Sequence, residues 1–218
     1  MKKTFLAALM ITAGVIVGTK ANAQDNLSFG VTGSFGHSWM KGDGDNVFKP
    51  ALGAGLRLVY SANSHIGIGG DLKFSAEGSK KEFSEGATTV RTNLNYIRFN
   101  PQFLYFFGEY GQAVRPKIFV GPSLGFLVGG QIKNESGNVT VTNDSKDYYK
   151  SFDLGAMVGA GVNVRVAPGK WLNLDLGYTH GLLDQTKATN NTAYNRNLAV
   201  GIGLTWGIGK VKPQDITK

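Results

Sequence analysis

The chain has 218 residues, no cysteine, 31 glycines and a formal net charge of +8. That length suits one domain, and the absence of thiols excludes disulfides and a cysteine-anchored lipoprotein. The basic residues are spread over strands and loops rather than gathered on one stripe, which argues against nucleic acid as a partner.

At the start of the chain, Lys2 and Lys3 precede an uncharged run from Phe5 to Gly18, and Ala21-Asn22-Ala23 supplies a small-x-small cleavage site. This pattern predicts a secretory signal peptide over residues 1–23, cut before Gln24. Its 14 uncharged residues fall short of the roughly 20 that a membrane-spanning helix needs. Without Lys2, Lys3 and Lys20 the remaining chain carries 20 basic and 15 acidic residues, net +5.

Eight stretches of apolar/small alternation follow, at about 27–37, 51–61, 66–76, 94–107, 116–129, 151–165, 170–180 and 196–209. The connections alternate in length: 38–50, 77–93, 130–150 and 181–195 are long, whereas 62–65, 108–115 and 166–169 are short. Successive side chains of a strand point to opposite faces, so each stretch has an apolar face and a small or polar face. In the last one, Leu198, Val200, Ile202, Leu204, Trp206 and Ile208 share a face opposite Ala199, Gly201, Gly203, Thr205 and Gly207. A tilted strand of roughly 9–11 residues crosses the hydrocarbon, and a closed barrel leaves no backbone group unpaired there. Long loops on one side and tight turns on the other fit an outer-membrane barrel, with both termini in the periplasm.

The faces decide between a membrane barrel and a soluble one. Phe29, Val31, Leu56, Ile68, Phe99, Val120, Val158 and Leu174 lie on the uncharged apolar face. Gly30, Gly55, Gly121, Gly155, Gly159 and Gly177 lie on the other, with Arg57, Asp71, Lys73, Arg98, Lys117, Asp153, Arg165 and Asp175. An eight-stranded interior is only wide enough for side chains to fill it, so the bulky set faces lipid. A lipocalin-like barrel would reverse the faces. Tyr60, Tyr105, Trp171 and Trp206 near the short turns, and Trp39, Phe74, Tyr148, Tyr149, Phe152 and Tyr178 near the long loops, fit two interfacial girdles. The fold class is therefore all-β: an eight-stranded antiparallel transmembrane β-barrel, an up-and-down meander. It spans 24–209, and 210–218 form a short periplasmic tail.

Pro116-Lys-Ile-Phe-Val-Gly-Pro-Ser-Leu-Gly-Phe-Leu127, Phe152-Asp-Leu-Gly155 with Gly159-Ala-Gly161, and Leu172-Asn-Leu-Asp175 with Tyr178 and Gly181-Leu-Leu-Asp184 resemble the PorT-like outer membrane β-barrel domain family of Bacteroidetes-type bacteria. The resemblance implies an eight-stranded barrel and no particular chemistry. Tyr96-Ile-Arg-Phe-Asn-Pro101 departs from that family's spacing by one residue, which leaves the register of the fourth strand open. Gly201, Leu204 and Trp206 are similar to the final-strand signal read by the barrel-assembly machinery, although Ala199 stands where a polar residue is usual.

The inward charges are the one constellation with chemical content. Five bases (Arg57, Lys73, Arg98, Lys117, Arg165) and three acids (Asp71, Asp153, Asp175) should pair, because an unpaired ion is costly in a narrow interior. Arg98 and Asp153 are the pair expected from facing and depth. The bland role is a structural ion-pair network; the sharper one is a gate in a narrow pore. His37 with Ser38, and His180 with Asp184, hint only remotely at a rim hydrolase, since nothing places a nucleophile beside a base. Gly42-Asp-Gly-Asp-Asn46 lacks the spacing of a calcium loop, so no metal and no cofactor are expected.

The sequence thus describes a monomeric, non-enzymatic protein of a Gram-negative outer membrane, in contact with lipid and lipopolysaccharide. It acts structurally or binds an extracellular protein or ligand through loops 77–93, 130–150 and 181–195. The alternative is a narrow channel or small-solute pore.

Overall fold

A computed structural model describes residues 26–41, 45–83, 88–137, 139–189 and 191–208. The expected signal peptide, the tail 210–218 and residues 42–44 of the acidic turn lie outside the described residues. The elements are β1 (Leu27–Lys41), β2 (Asp45–Val47), β3 (Pro50–Ser61), β4 (Ile66–Phe83), β5 (Thr88–Phe106), β6 (Val114–Ser136), β7 (Val139–Asp144), α1 (Ser145–Tyr148), β8 (Phe152–Ala167), β9 (Lys170–Gly181) and β10 (Tyr194–Gly207).

Eight of these strands form a closed antiparallel ring in the order β1–β3–β4–β5–β6–β8–β9–β10, each paired to its neighbour in the chain. Closure is made by β10 against β1, from Ser28 opposite Gly207 to Lys41 opposite Tyr194. The other two strands are additions at the long-loop end: β2 pairs with β4 at Lys80–Glu82, and β7 pairs with β6 at Gln131–Ser136.

Alternation sorts the side chains as the period of two requires. Val31, Val120, Leu176 and Val200 are each more than half exposed, at 52%, 52%, 54% and 60%. An apolar band of this size in water would be an aggregation surface. Around a closed ring it is the lipid contact. On the inner side, a Cβ placed at Gly159 would land on the Phe119 ring, and one at Gly121 on the Pro101 carbonyl.

Three connections differ from expectation: 38–50 holds the end of β1 and the short strand β2, and two others prolong the wall. Residues 77–93 form a continuation of the wall: β4 runs to Phe83 and β5 starts at Thr88, paired from Glu77–Leu94 to Phe83–Thr88. Residues 130–136 likewise belong to β6, and Val139–Asp144 return along them as β7, so this hairpin rises past the membrane. The fourth ring strand, β5, keeps Leu94, Tyr96 and Arg98 inward, and its register with β6 shifts at Asn95/Tyr96. Between Phe99–Leu124 and Phe103–Val120 the two strands have no registered pairs, and Pro101 and Pro122 lie in that gap. Proline has no N–H to give to a ladder.

Candidate functional site: a sealed interior and its cap

The barrel interior is layered. Nearest the short turns, Val59, Leu104, Phe106, Phe119 and Met157 form a buried apolar cluster. Above them the Arg57 guanidinium donates to both carboxylate oxygens of Asp71, Nε to Oδ1 at 2.7 Å and Nη2 to Oδ2 at 2.8 Å, and through Nη1 to Asp175 Oδ2 at 2.5 Å. Lys117 Nζ lies 2.9 Å from Asp175 Oδ1, and the Gln102 amide donates to Asp71.

A second cluster sits nearer the long loops. Arg98 donates to Glu77 from Nε (2.6 Å) and Nη2 (2.7 Å), to Asp153 from Nη2 (2.6 Å) and to the Ser123 hydroxyl from Nη1 (3.2 Å). The Asn195 amide and the Ser75 hydroxyl each donate to Glu77 at 2.6 Å, and the guanidinium lies 4.6 Å from the centre of the Tyr96 ring. Paired in this way, buried charges become tolerable, with the Asp153 Oδ1 left without a hydrogen-bond donor.

Between the clusters is a cavity of about 60 Å³ whose lining includes Arg57, Asp71, Lys73, Glu77 and Arg98. Lys73, the register partner of Arg98, makes no ion pair within 4.0 Å among the described residues and projects between the two acidic centres. A space of that size holds a few water molecules and no solute. Closest to the long loops, Met40, Leu94, Tyr96 and Leu127 make a second apolar cluster, with Tyr149 and Ala193 packed against it.

Tyr149 belongs to a folded cap. Asp144 accepts from the Lys146 N–H at the start of α1, Tyr149 bridges to Thr186, and the Lys150 N–H donates to the Gln185 carbonyl. Lys150 Nζ donates to the Asp184 carboxylate at 3.1 Å, which also accepts from the N–H groups of Ala193 (2.8 Å) and Thr186 (3.1 Å). Slight burial pushes the Asp184 carboxyl up, but these N–H donors and the Lys150 ammonium outweigh it and hold it below its ordinary value. Tyr148 is exposed whereas Tyr149 is turned toward the interior, so the two tyrosines do not form one contact surface.

The eight inward charges are distributed unevenly. Arg57, Asp71, Lys117 and Asp175 come together, as do Arg98 and Asp153; Lys73 stands between. Arg165 is at the short-turn end of β8, four residues past Gly161, the position opposite Asp175. Glu77, the bidentate partner of Arg98, escapes a sequence reading that ends the strand at Ala76. Its signal was the continued period of two through Asp71, Lys73 and Ser75. In β10, Gly201 faces inward beside Asp175, and Leu204 and Trp206 face outward. The two rim pairs are not catalytic dyads: His37 accepts from the Lys49 N–H and stacks on Trp39 while Ser38 points inside, and His180 bonds Tyr178 while Asp184 bonds Lys150. Among the described residues no cluster of three or more His, Asp or Glu side chains suits a metal ion.

The family model described as "Outer membrane protein beta-barrel domain" matches residues 22–187, about three quarters of the chain. The chain belongs to the outer membrane protein β-barrel domain family. Its place is therefore the outer membrane, in contact with membrane lipid. Among solved structures the barrel is similar to Ail of Yersinia pestis in complex with sucrose octasulfate (17% identity, 83% of this chain and 99% of that one, TM-score 0.45). It is also similar to neisserial surface protein A (12% identity, 83% and 96%, TM-score 0.47) and to OprG of Pseudomonas aeruginosa (11% identity, 84% and 96%, TM-score 0.48). No curated protein matches the chain.

Proposed function

We propose that this member of the family is a closed, non-enzymatic scaffold that presents its long-loop end to an extracellular partner. The observation that carries the reading is the filled interior: an apolar cluster at each end, with two ion-pair clusters and a cavity of about 60 Å³ between them. A wall of eight strands has little lumen to begin with, and Phe119 and Tyr96 occupy much of it. What remains for function is the raised hairpin of β6 and β7 and the cap over it, where loops on a rigid scaffold ordinarily carry recognition.

The same reading puts the long loops outside and the termini in the periplasm, after export by the 1–23 signal peptide. Gly201, Leu204 and Trp206 serve as the strand read by the barrel-assembly machinery. The segments around Pro116–Leu127 and Leu172–Asp175 support a place among PorT-like members.

Refolded protein in a planar bilayer should give no resolved single-channel current. A stable current in the parent that Gly159→Leu abolishes while the variant keeps the gel mobility of a folded barrel would establish the channel alternative instead. Replacing Val139–Asp144 by a tight turn should leave the folded barrel intact and remove cell-surface binding or the associated fitness effect.

A further inference from the structure

The outer surface of the barrel is uncharged through its apolar band and carries basic residues at its long-loop rim, Lys41 and Arg196 among them. There a hollow of about 550 Å³ is lined by Lys41, Tyr194, Arg196, His180, Asn191 and Thr192, with no acidic residue in its wall. Registers place Lys41 beside Tyr194, and Arg196 between Trp39 and His180. Neither Lys41 nor Arg196 has an ion-pair partner among the described residues. The Arg196 Nε is buried and has no hydrogen-bond partner. Two residues below Arg196, the outward face turns wholly apolar through Leu198, Val200 and Leu176, which are 44%, 60% and 54% exposed.

We propose that this rim between β1, β9 and β10 is a binding site for the phosphate of a membrane lipid, held by Lys41 and Arg196, with the acyl chain lying on Leu198 and Val200. The chemistry follows from position. The Arg196 Nε is buried with no protein acceptor on a half-exposed side chain, an arrangement that an anion in the hollow would complete, and Arg offers the fork that matches phosphate. Trp39 and Tyr178, whose rings are 6.1 Å apart, mark the depth at which aromatic residues meet headgroups. A basic side chain near a lipid surface gains roughly the energy that separates bound from free lipid by several-fold. The apolar surface below supplies what a free anion cannot use, so a lipid should outcompete inorganic phosphate. The assignment does not depend on which leaflet the rim meets, nor on the absence of a pore.

The test uses Trp39 as reporter. Full-length protein carrying Trp171→Phe and Trp206→Phe is refolded into phosphatidylcholine bilayers containing either brominated phosphatidic acid or brominated phosphatidylcholine. Bromine should quench Trp39 with a preference for phosphatidic acid of about tenfold. Lys41→Gln with Arg196→Gln should bring the preference close to one, Arg196→Lys should keep part of it, and inorganic phosphate should not reverse it. No preference in the parent, a preference unchanged in the double variant, or displacement by inorganic phosphate would each overturn the proposal. Should the double variant fail to show the heat-modifiable gel mobility of a folded barrel, Lys41→Gln alone decides, since Lys41 is exposed and should still lower the preference several-fold; an unchanged value there also overturns it.

Discussion

Arg98 is the side chain on which the upper half of the interior depends. It makes three short ionic hydrogen bonds, two to Glu77 and one to Asp153, and both acids are almost wholly buried, at 2% and 1% exposure. Replacing Arg98 by Met keeps the apolar stem but leaves two carboxylates near one another with Asn195 as a shared donor. Breaking a buried pair in this way costs about 3–5 kcal/mol, because the stranded charge keeps its desolvation penalty. Glu77→Gln and Asp153→Asn should each cost less, and the Arg98–Asp153 coupling in a double-mutant cycle should fall within roughly 0.5–3 kcal/mol. The triple variant Arg98→Met, Glu77→Gln, Asp153→Asn should recover much of the loss, since no ion then lacks a partner. Urea unfolding of refolded protein in phospholipid vesicles, followed through its tryptophans, measures all of these. A loss below about 1 kcal/mol for Arg98→Met, or a cycle without coupling, would refute the view that this cluster holds the interior together.

Three further outcomes are expected. Arginine at Val120 or Leu174, both outward and exposed, should lower stability by about 2–4 kcal/mol, read in the same unfolding assay. Gly159→Leu should drive into Phe119 and cost about 1–3 kcal/mol, whereas Gly177→Ala, whose Cβ would meet Phe119 only at 3.6 Å, should be tolerated; the folded band on an unheated gel separates the two. The cap should loosen in acid. With its pKa held below the ordinary 3.8, the Asp184 carboxylate adds stability that is fully present above that value and is lost as pH falls through the depressed one. Protection of the Thr186 and Ala193 amides from hydrogen exchange, taken relative to the intrinsic rate at each pH, should accordingly hold at neutral pH and fall below about pH 4, and Asp184→Asn should remove that change in protection.

The alternation of residues such as Leu198, Val200 and Ile202 against Gly201 and Gly203 was sufficient for strand number, facing and membrane residence. A period of two has one meaning wherever one side of a wall meets lipid and the other a crowded lumen. Where the wall leaves the membrane, that pressure ends. Lys80, Lys81 and Glu82 then read as loop although they sit in a paired strand, and Glu77 was lost with them. Beyond Arg98 with Asp153, which facing and depth brought together correctly, which charges meet was not legible either. Arg57 reaches Asp175, and Asn195 reaches Glu77, each across 118 residues of chain, and only the stagger of a closed ring sets those depths. Tyr149 shows the same limit: sequence places it on an exposed loop beside Tyr148, but the pairing of Tyr149 with Thr186 turns it toward Leu94 and Tyr96. Local pattern determined which way each strand faces because facing is a property of neighbouring residues. Closure, register shifts and loop docking decided what fills the interior, because those are properties of the whole ring.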